Sequence, residues 1–305
     1  MRKVLVDGDI LAYRAAFATQ DRVHNVPYRG DMERDLPPSW LGKTGGKITF
    51  KGFFKCPVKE IIGHTLYYAS FQQDFSPKDA EEKVEILLDF VLEETLDFVT
   101  PDQYEVYLTG SNNFRFDIAK SHPYKGNRKA TDKPKYLQHV REYLIKKFGA
   151  IVSEGEEADD LIAIEATRLG PDTIVASIDK DMLQIPCRHF NFNKKEWTTV
   201  DEWSGTLFFY TQILTGDAAD NIKGLYGIGP KKADKLLLGC TTEEELWKAC
   251  VKAYDGDTER IIENARLLWL RREEGELWEP PTVSIDATTQ RTAIDQVLKM
   301  TYLKT

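Results

Sequence analysis

The sequence predicts an α/β fold with a mainly parallel central sheet flanked by helices, and three observations carry that prediction. Short apolar runs of strand length recur at KVLVD (3–7), EVYLT (105–109), AIVSE (150–154) and TIVASI (173–178). Helical or basic segments separate them, and such alternation is the mark of parallel strands joined by crossovers. Carboxylates follow closely on three of the four runs. Open parallel sheets gather ligands beyond the carboxyl ends of their strands, so those acids are the first place to look for chemistry.

With 305 residues the chain can form one large domain or two modest ones, each with a substantial core. It is 42% hydrophobic and 30% charged, with no apolar run near the roughly 18 residues that cross a bilayer. A globular protein without a membrane span is expected. Met1-Arg2-Lys3-Val4 runs straight into the first strand without a signal-peptide pattern, which favours the cytoplasm. The cysteines Cys56, Cys187, Cys240 and Cys250 form no C-x-x-C pair, so neither a zinc site nor a disulfide framework is suggested. The net charge of −8 is unusual for a phosphate binder. Its distribution is uneven, however: between Lys120 and Lys147 the only acids are Asp132 and Glu142 among many Lys and Arg.

The first run is followed by LAYRAAF, which reads as helix. From Asp21 to about Pro57, Pro and Gly cluster, and KITF with Phe53 and Phe54 suggests a hairpin inside a loop-rich insertion over 20–75. Its lysines Lys43, Lys47, Lys51 and Lys55 leave three options open: a duplex platform, a partner site or plain surface decoration. Residues 78–98 set Val84, Leu87, Leu88, Val91 and Leu92 at helical spacing, with Pro77 and Asp79 at the helix start.

Asp7 and Asp9 follow the first strand, Glu156, Glu157, Asp159 and Asp160 follow the third, and Asp179 and Asp181 the fourth. So many like charges on one rim repel unless cations neutralise them, and hard divalent ions suit carboxylate oxygens. Two such ions can serve phosphoryl transfer, so phosphodiester hydrolysis is the expected reaction. Acids also cap helix starts, and for Glu156 and Asp9 that reading is as good. The five histidines fall in no metal spacing or triad pattern.

Residues 216–236, GDAADNIKGLYGIGPKKADKL, read as a helix pair punctuated by glycines. Gly224, Gly227 and Gly229 allow a tight turn, Pro230 opens the next helix, and Lys231 and Lys232 stand where a backbone phosphate can be met. Asp217 and Asp220, three apart on a helix, would add two ligands to the rim.

In their order, VDGD (6–9), YKGNRKA (124–130), GEEADD (155–160), SIDKD (177–181) and GDAADNIKGLYGIGPKKA (216–233) make the chain resemble the 5′ nuclease superfamily of flap endonucleases and 5′ to 3′ exonucleases, above all its bacteriophage members. The segment NARLLWLRREEGELWEPP (264–281) is similar to the tail of phage exonucleases that help remove primers or degrade host DNA. The resemblance implies a PIN-like nuclease core over 1–205 with a basic helical arch at 120–147. It also implies a helix-three-turn-helix DNA-binding region at 206–240 and a C-terminal helical region at 241–305. It gives Asp7, Glu157, Asp159, Asp160, Asp179, Asp181, Asp217 and Asp220 as metal ligands, Asp160 and Asp217 through water. Tyr124, Lys125 and Arg128 would lie at the foot of the arch, the cations on the scissile phosphate and the ring stacked on a terminal base. Gly227, Gly229, Lys231 and Lys232 would grip the duplex.

Two Mg²⁺ ions, with Mn²⁺ able to substitute, and K⁺ at the helix-three-turn-helix are the implied cofactors. DNA with 5′ ends or flaps and RNA–DNA hybrids are the implied substrates; protein partners stay open. The implied activity is 5′ to 3′ exonuclease with flap endonuclease or ribonuclease H-like cleavage in phage DNA replication, in the host cytoplasm. The alternatives are a non-catalytic binder of branched DNA and, less favoured, a small PIN-fold ribonuclease. One departure stands out: Gly110 occupies the place of an expected aspartate, with Asn112 and Asn113 nearby as neutral substitutes.

Overall fold

A computed structural model describes residues 2–28, 41–44, 47–50, 54–55, 58–61, 64–96, 103–128 and 133–282, with the backbone alone between 23 and 73. The chain divides into two compact units: Lys3–Leu108 with Lys129–Val152, and Met1–Arg2 with Thr109–Arg128 and Ser153–Thr305. No described helix is long and apolar enough to cross a membrane.

In the first unit, β1 (Val4–Asp7) is fully buried and leads directly into α1 (Gly8–Ala18), which buries Leu11, Ala12, Ala15 and Ala16. The insertion then contributes β2 (Arg22–Tyr28), the hairpin of β3 (Leu41–Thr44) and β4 (Lys47–Phe50), β5 (Phe54–Lys55), β6 (Val58–Ile61) and β7 (His64–Gln73). Strand β7 pairs antiparallel with β2, β5 and β6. KITF does form a hairpin, but with Leu41–Thr44; Phe54 pairs with β7 instead, and Phe53 lies outside the described residues. The rest of the insertion holds more strand than its Pro and Gly content suggested. HTLYYASF in β7, rich in aromatic and β-branched residues, is the sequence signal for it.

α2 (Pro77–Glu93) starts where expected, with Ser76 and Asp79 forming a reciprocal capping box and Pro77 in the first turn. It buries Ala80, Val84, Leu88 and Val91. β8 (Tyr104–Leu108) lies parallel to β1, with Val4 opposite Tyr104 and Asp7 opposite Tyr107. α3 (Leu137–Phe148) buries Leu137, Val140 and Leu144, ends on the left-handed Gly149, and packs with α1 and α2. β9 (Ile151–Val152) closes the unit, parallel to β8.

The packing of α3 bears on the expected arch. Residues 129–132 lie outside the described residues, but 137–147 is a helix with a buried apolar face. Four of its basic side chains are partnered within the unit: Lys135 donates to Asp21 at 2.7 Å, His139 meets Glu81 at 2.8 Å, Arg141 pairs with Asp9 and Lys147 with Glu85. These acids stand far away in sequence, so the run looks uncompensated when read along the chain.

In the second unit, a helical turn at Arg115–Ile118 precedes α4 (Ala158–Leu169). β10 (Ile174–Ala176) and β11 (Arg188–Asn191) are parallel, and β12 (Glu196–Thr199) returns antiparallel to β11. A 3₁₀ turn at Lys180–Gln184 lies between β10 and β11. α5 (Glu202–Thr215) follows, then β13 (Gly216–Asp217) and β14 (Ile222–Lys223), which pair as a small antiparallel hairpin. Asp217 and Asp220 therefore sit on a strand end and a turn, not on one helix face as the three-residue spacing suggested. The helices α6 (Pro230–Leu237), α7 (Glu243–Ala253) and α8 (Thr258–Leu268) complete the unit. Tyr124, Phe209, Ile213, Trp247, Leu268 and Trp278 belong to one buried cluster, so the core does not break at 205 or 240.

Candidate metal centre and nucleic-acid interface

Asp7 and Asp9 belong to the first unit. Asp7 is buried and caps α1, its carboxylate accepting from Ile10 N at 3.1 Å, and Asp9 is bound to Arg141. The other expected acids all belong to the second unit, where four of them fall into two pairs, each bridged by a lysine.

In one pair, Lys125 donates to Glu157 and lies 3.8 Å from Asp220. The Tyr124 hydroxyl joins the same two carboxylates at 2.8 Å each. Arg128 adds a 2.6 Å ion pair to Asp220. In the other pair, Lys180 Nζ stands 2.9 Å from Asp217 and 3.3 Å from Asp181. Burial and the neighbouring Asp179 charge push the Asp181 carboxyl up to about 6. Burial also opposes ionisation of Asp217, but Lys180 and the backbone N–H groups of Ala219 and Asp220 hold its carboxyl below the usual range. Asp179 caps the 3₁₀ turn by accepting from Asp181 N at 2.9 Å, and Asp159 lies half-buried in the first turn of α4. Among the described residues, no three His, Cys, Asp or Glu side chains gather closely enough to hold one ion together.

The YKGNR loop is clasped onto the β13–β14 turn. Lys125 N donates to Asp220 O at 2.9 Å, Asn127 to Ala218 O at 2.8 Å, and Asn221 to Pro123 O at 2.9 Å. Lys125 takes a left-handed backbone, φ +54°, and these bonds offset the strain, about 1–3 kcal/mol, of a non-glycine residue there. Tyr124 is buried, edge-on to Phe116, and burial together with the Glu157 charge raises its hydroxyl well above the ordinary phenol range. Stacking on a terminal base, the role expected for it, does not fit a ring packed in the core. Its hydroxyl instead fixes the spacing of Glu157 and Asp220.

Asp160 is also placed differently from a ligand. It is fully buried, takes Arg115 in a two-pronged ion pair at 2.5 and 2.8 Å, and accepts Glu157 N at 3.1 Å and Arg271 N at 3.2 Å. Each carboxylate oxygen thus has two donors, which fills its lone-pair directions. Glu156 faces Arg271 at 3.1 Å. Asn113 accepts from Arg115 N through its side-chain oxygen at 2.9 Å and so shapes this turn.

In the glycine segment, Pro230 occupies the first turn of α6 as expected, with Gly229 as its N-cap. Of the three glycines, only Gly227 has positive φ, at +72°. Gly224 is required by close approach: a Cβ there would lie 2.2 Å from Thr215 C. Lys231 is exposed, and Lys232 donates to Gly227 O at 2.7 Å. From α8, Arg260 reaches Gly224 O at 2.8 Å and Asn264 reaches Lys223 O at 2.9 Å. Side-chain donors thus meet three backbone carbonyls of this segment, those of Lys223, Gly224 and Gly227.

Sequence reasoning missed Arg115, Lys180, Gln184 and Gln212. Gln184 donates to Gln212 at 2.8 Å, and Gln212 donates to Asp181 at 2.7 Å, a buried amide chain that orients this carboxylate. Only Lys180 left a signal, a cation flanked by two aspartates.

No family model matches the chain. DNA polymerase I of Rhizobium leguminosarum is 33% identical over 164 residues, 46% of this chain and 15% of that protein. Flap endonuclease Xni of Aeromonas hydrophila is 32% identical over 152 residues, 41% of this chain and 54% of that protein. The 5′-3′ exonuclease of Mycoplasma pneumoniae is 26% identical over 260 residues, 77% of this chain and 70% of that protein. The chain thus spans a small part of the polymerase and about half of Xni. Among solved structures, the bacteriophage T5 D15 protein co-crystallised with metal ions matches 88% of this chain and 89% of its own, with a TM-score of 0.53 and 15% identity. A T5 D15 flap endonuclease complex with DNA and metal ions matches with a TM-score of 0.51 and 16% identity. At that identity the likeness is one of fold, a mainly parallel sheet flanked by helices.

Proposed function

We propose that this chain, whose sequence relatives and fold are those of the 5′ nuclease superfamily, is a divalent-metal-dependent phosphodiester hydrolase acting at 5′ ends and flaps of DNA. The observation that carries the proposal is the pair of lysine-bridged carboxylate couples, Glu157 with Asp220 and Asp181 with Asp217, beside a loop that presents Arg128. The donors are all oxygen, as magnesium prefers, and each couple already accommodates a cation in its ammonium. Magnesium needs only one or two carboxylates, with waters and substrate phosphates completing its shell, so pairs suffice.

Two Mg²⁺ ions are proposed, with Mn²⁺ as substitute, held by Glu157 and Asp220 and by Asp181 and Asp217, with Asp159 and Asp179 as further candidate ligands. Bound there, the ions would supply Lewis-acid activation of the phosphodiester and neutralise its charge. The chain's own residues do the rest. Tyr124 holds Glu157 and Asp220 in register, and Gln212 orients Asp181. Arg128, more than half exposed, and Lys125 engage the scissile phosphate, where fixed cations stabilise developing charge. Lys231, Lys232 and the start of α6 meet the duplex backbone. Asp160 with Arg115 anchors the start of α4 and is not proposed as a ligand.

A 5′-labelled flap on duplex DNA tests this directly. Label release with Mg²⁺, stopped by chelation, is the expected result; a flap bound tightly but left whole across Mg²⁺ and Mn²⁺ concentrations would establish the non-catalytic binder instead. RNA-primed duplexes in the same assay measure the proposed ribonuclease H-like activity.

Gly110 leads to a separate prediction. The missing carboxylate should leave one ion loosely held, so Gly110→Asp is expected to lower the Mg²⁺ concentration for half-maximal cleavage severalfold. An unchanged magnesium profile would show that this position does not reach the metal.

A further inference from the structure

We propose that Lys180 is a tethered counter-ion that holds the Asp181 and Asp217 carboxylates together until a divalent cation displaces it, and so sets the metal concentration this couple requires. The inference rests on the reading of these carboxylates as metal ligands.

The geometry distinguishes Lys180 from every other partner of the couple. Asp181 is held by the buried Gln212 amide at 2.7 Å, and Asp217 by the backbone N–H groups of Ala219 at 2.6 Å and Asp220 at 3.3 Å. Those donors belong to a packed core and to a hairpin turn, so they keep the carboxylates in place whatever lies between them. Lys180 is different: its side chain is 62% exposed, and only its ammonium enters the site, 2.9 Å from Asp217 and 3.3 Å from Asp181. A long aliphatic stem with a hydrated head can swing into water at small cost.

Charge completes the case. Two carboxylates facing one another repel, and a single ammonium cancels half of their charge, whereas a divalent ion cancels all of it. A divalent ion entering the couple must therefore give up whatever the ammonium contributes. Lys125 bridges the other couple similarly, but it is only 19% exposed, lies against the Tyr124 ring and is fixed by its loop. Lys180 has no such restraint.

The test is a Mn²⁺ titration of metal-stripped, DNA-free protein followed by electron paramagnetic resonance, comparing wild type with Lys180→Met, Lys180→Gln and Lys180→Arg. Lys180→Met and Lys180→Gln are expected to bind one class of Mn²⁺ about fivefold more tightly, as loss of one competing ion pair implies. They should also show a larger Mn²⁺-induced rise in melting temperature, because the metal-free state has lost its bridge. Lys180→Arg, which keeps the charge, should stay close to wild type. Equal or weaker Mn²⁺ binding by both neutral variants, with wild type binding normally, overturns the counter-ion role and leaves the metal site standing. No Mn²⁺ binding by any of the four proteins overturns both.

Discussion

Replacing Arg115 with Met is expected to destabilise the protein by about 3–5 kcal/mol, the cost of leaving a buried charge without its partner. Asp160 has no exposed surface, and Arg115 also donates to the carbonyls of Leu267 at 2.9 Å and Trp269 at 2.8 Å, so one side chain ties α4, the 115–118 turn and the C-terminal segment together. Urea unfolding followed by circular dichroism measures the loss as a lower midpoint. Changing both partners to apolar residues of similar volume should recover much of it; if the single variant is as stable as wild type, the pair is not the anchor proposed.

The same pair gives a pH dependence with a definite sign. Burial alone would raise the Asp160 carboxyl, but the Arg115 charge and hydrogen bonds outweigh it and hold the group below its usual range. A depressed acid contributes stability that is present above its unfolded value, roughly pH 4, and lost as pH falls through the folded value. Wild type should lose this contribution in acid, whereas Arg115→Met, lacking the cation, should not show it.

Changing Asp179 and Asp181 together to Ala is expected to lower flap cleavage by about a thousandfold or more, equivalent to about 4 kcal/mol of transition-state stabilisation. Flap affinity measured without Mg²⁺ should stay within a few-fold of wild type, because Arg128, Lys231 and Lys232 remain. A large loss of affinity with cleavage intact would reverse the assignment and make these acids part of the DNA platform.

Much of the fold was legible because it is local. The α2 start was visible in Pro77 and Asp79, its buried face in the spacing of Val84, Leu88 and Val91, and the parallel strands in short apolar runs. The acids were legible as a group because they follow strand ends. What each acid does was less so, since partners distant in sequence decide it. Asp160 meets Arg115 across 45 residues and Glu157 meets Tyr124 across 33, and no periodicity reports such contacts. Tyr124 carried no sign that its ring is core and its hydroxyl a spacer. The basic run before Lys147 looked free because its acids lie on other elements of the unit. GDAADN read as part of a glycine-punctuated helix pair, yet Gly216 at φ +70° and Asn221 at +61° bend it into a hairpin turn.

Crystals grown without metal and soaked in Mn²⁺, with anomalous difference density collected at the manganese edge, test the central assignment most directly. Manganese between Asp181 and Asp217 and between Glu157 and Asp220, with the Lys180 ammonium moved out of its couple, is the expected result. Lysine bridges that stay in place in a fully soaked crystal, with no manganese at either couple, would contradict it.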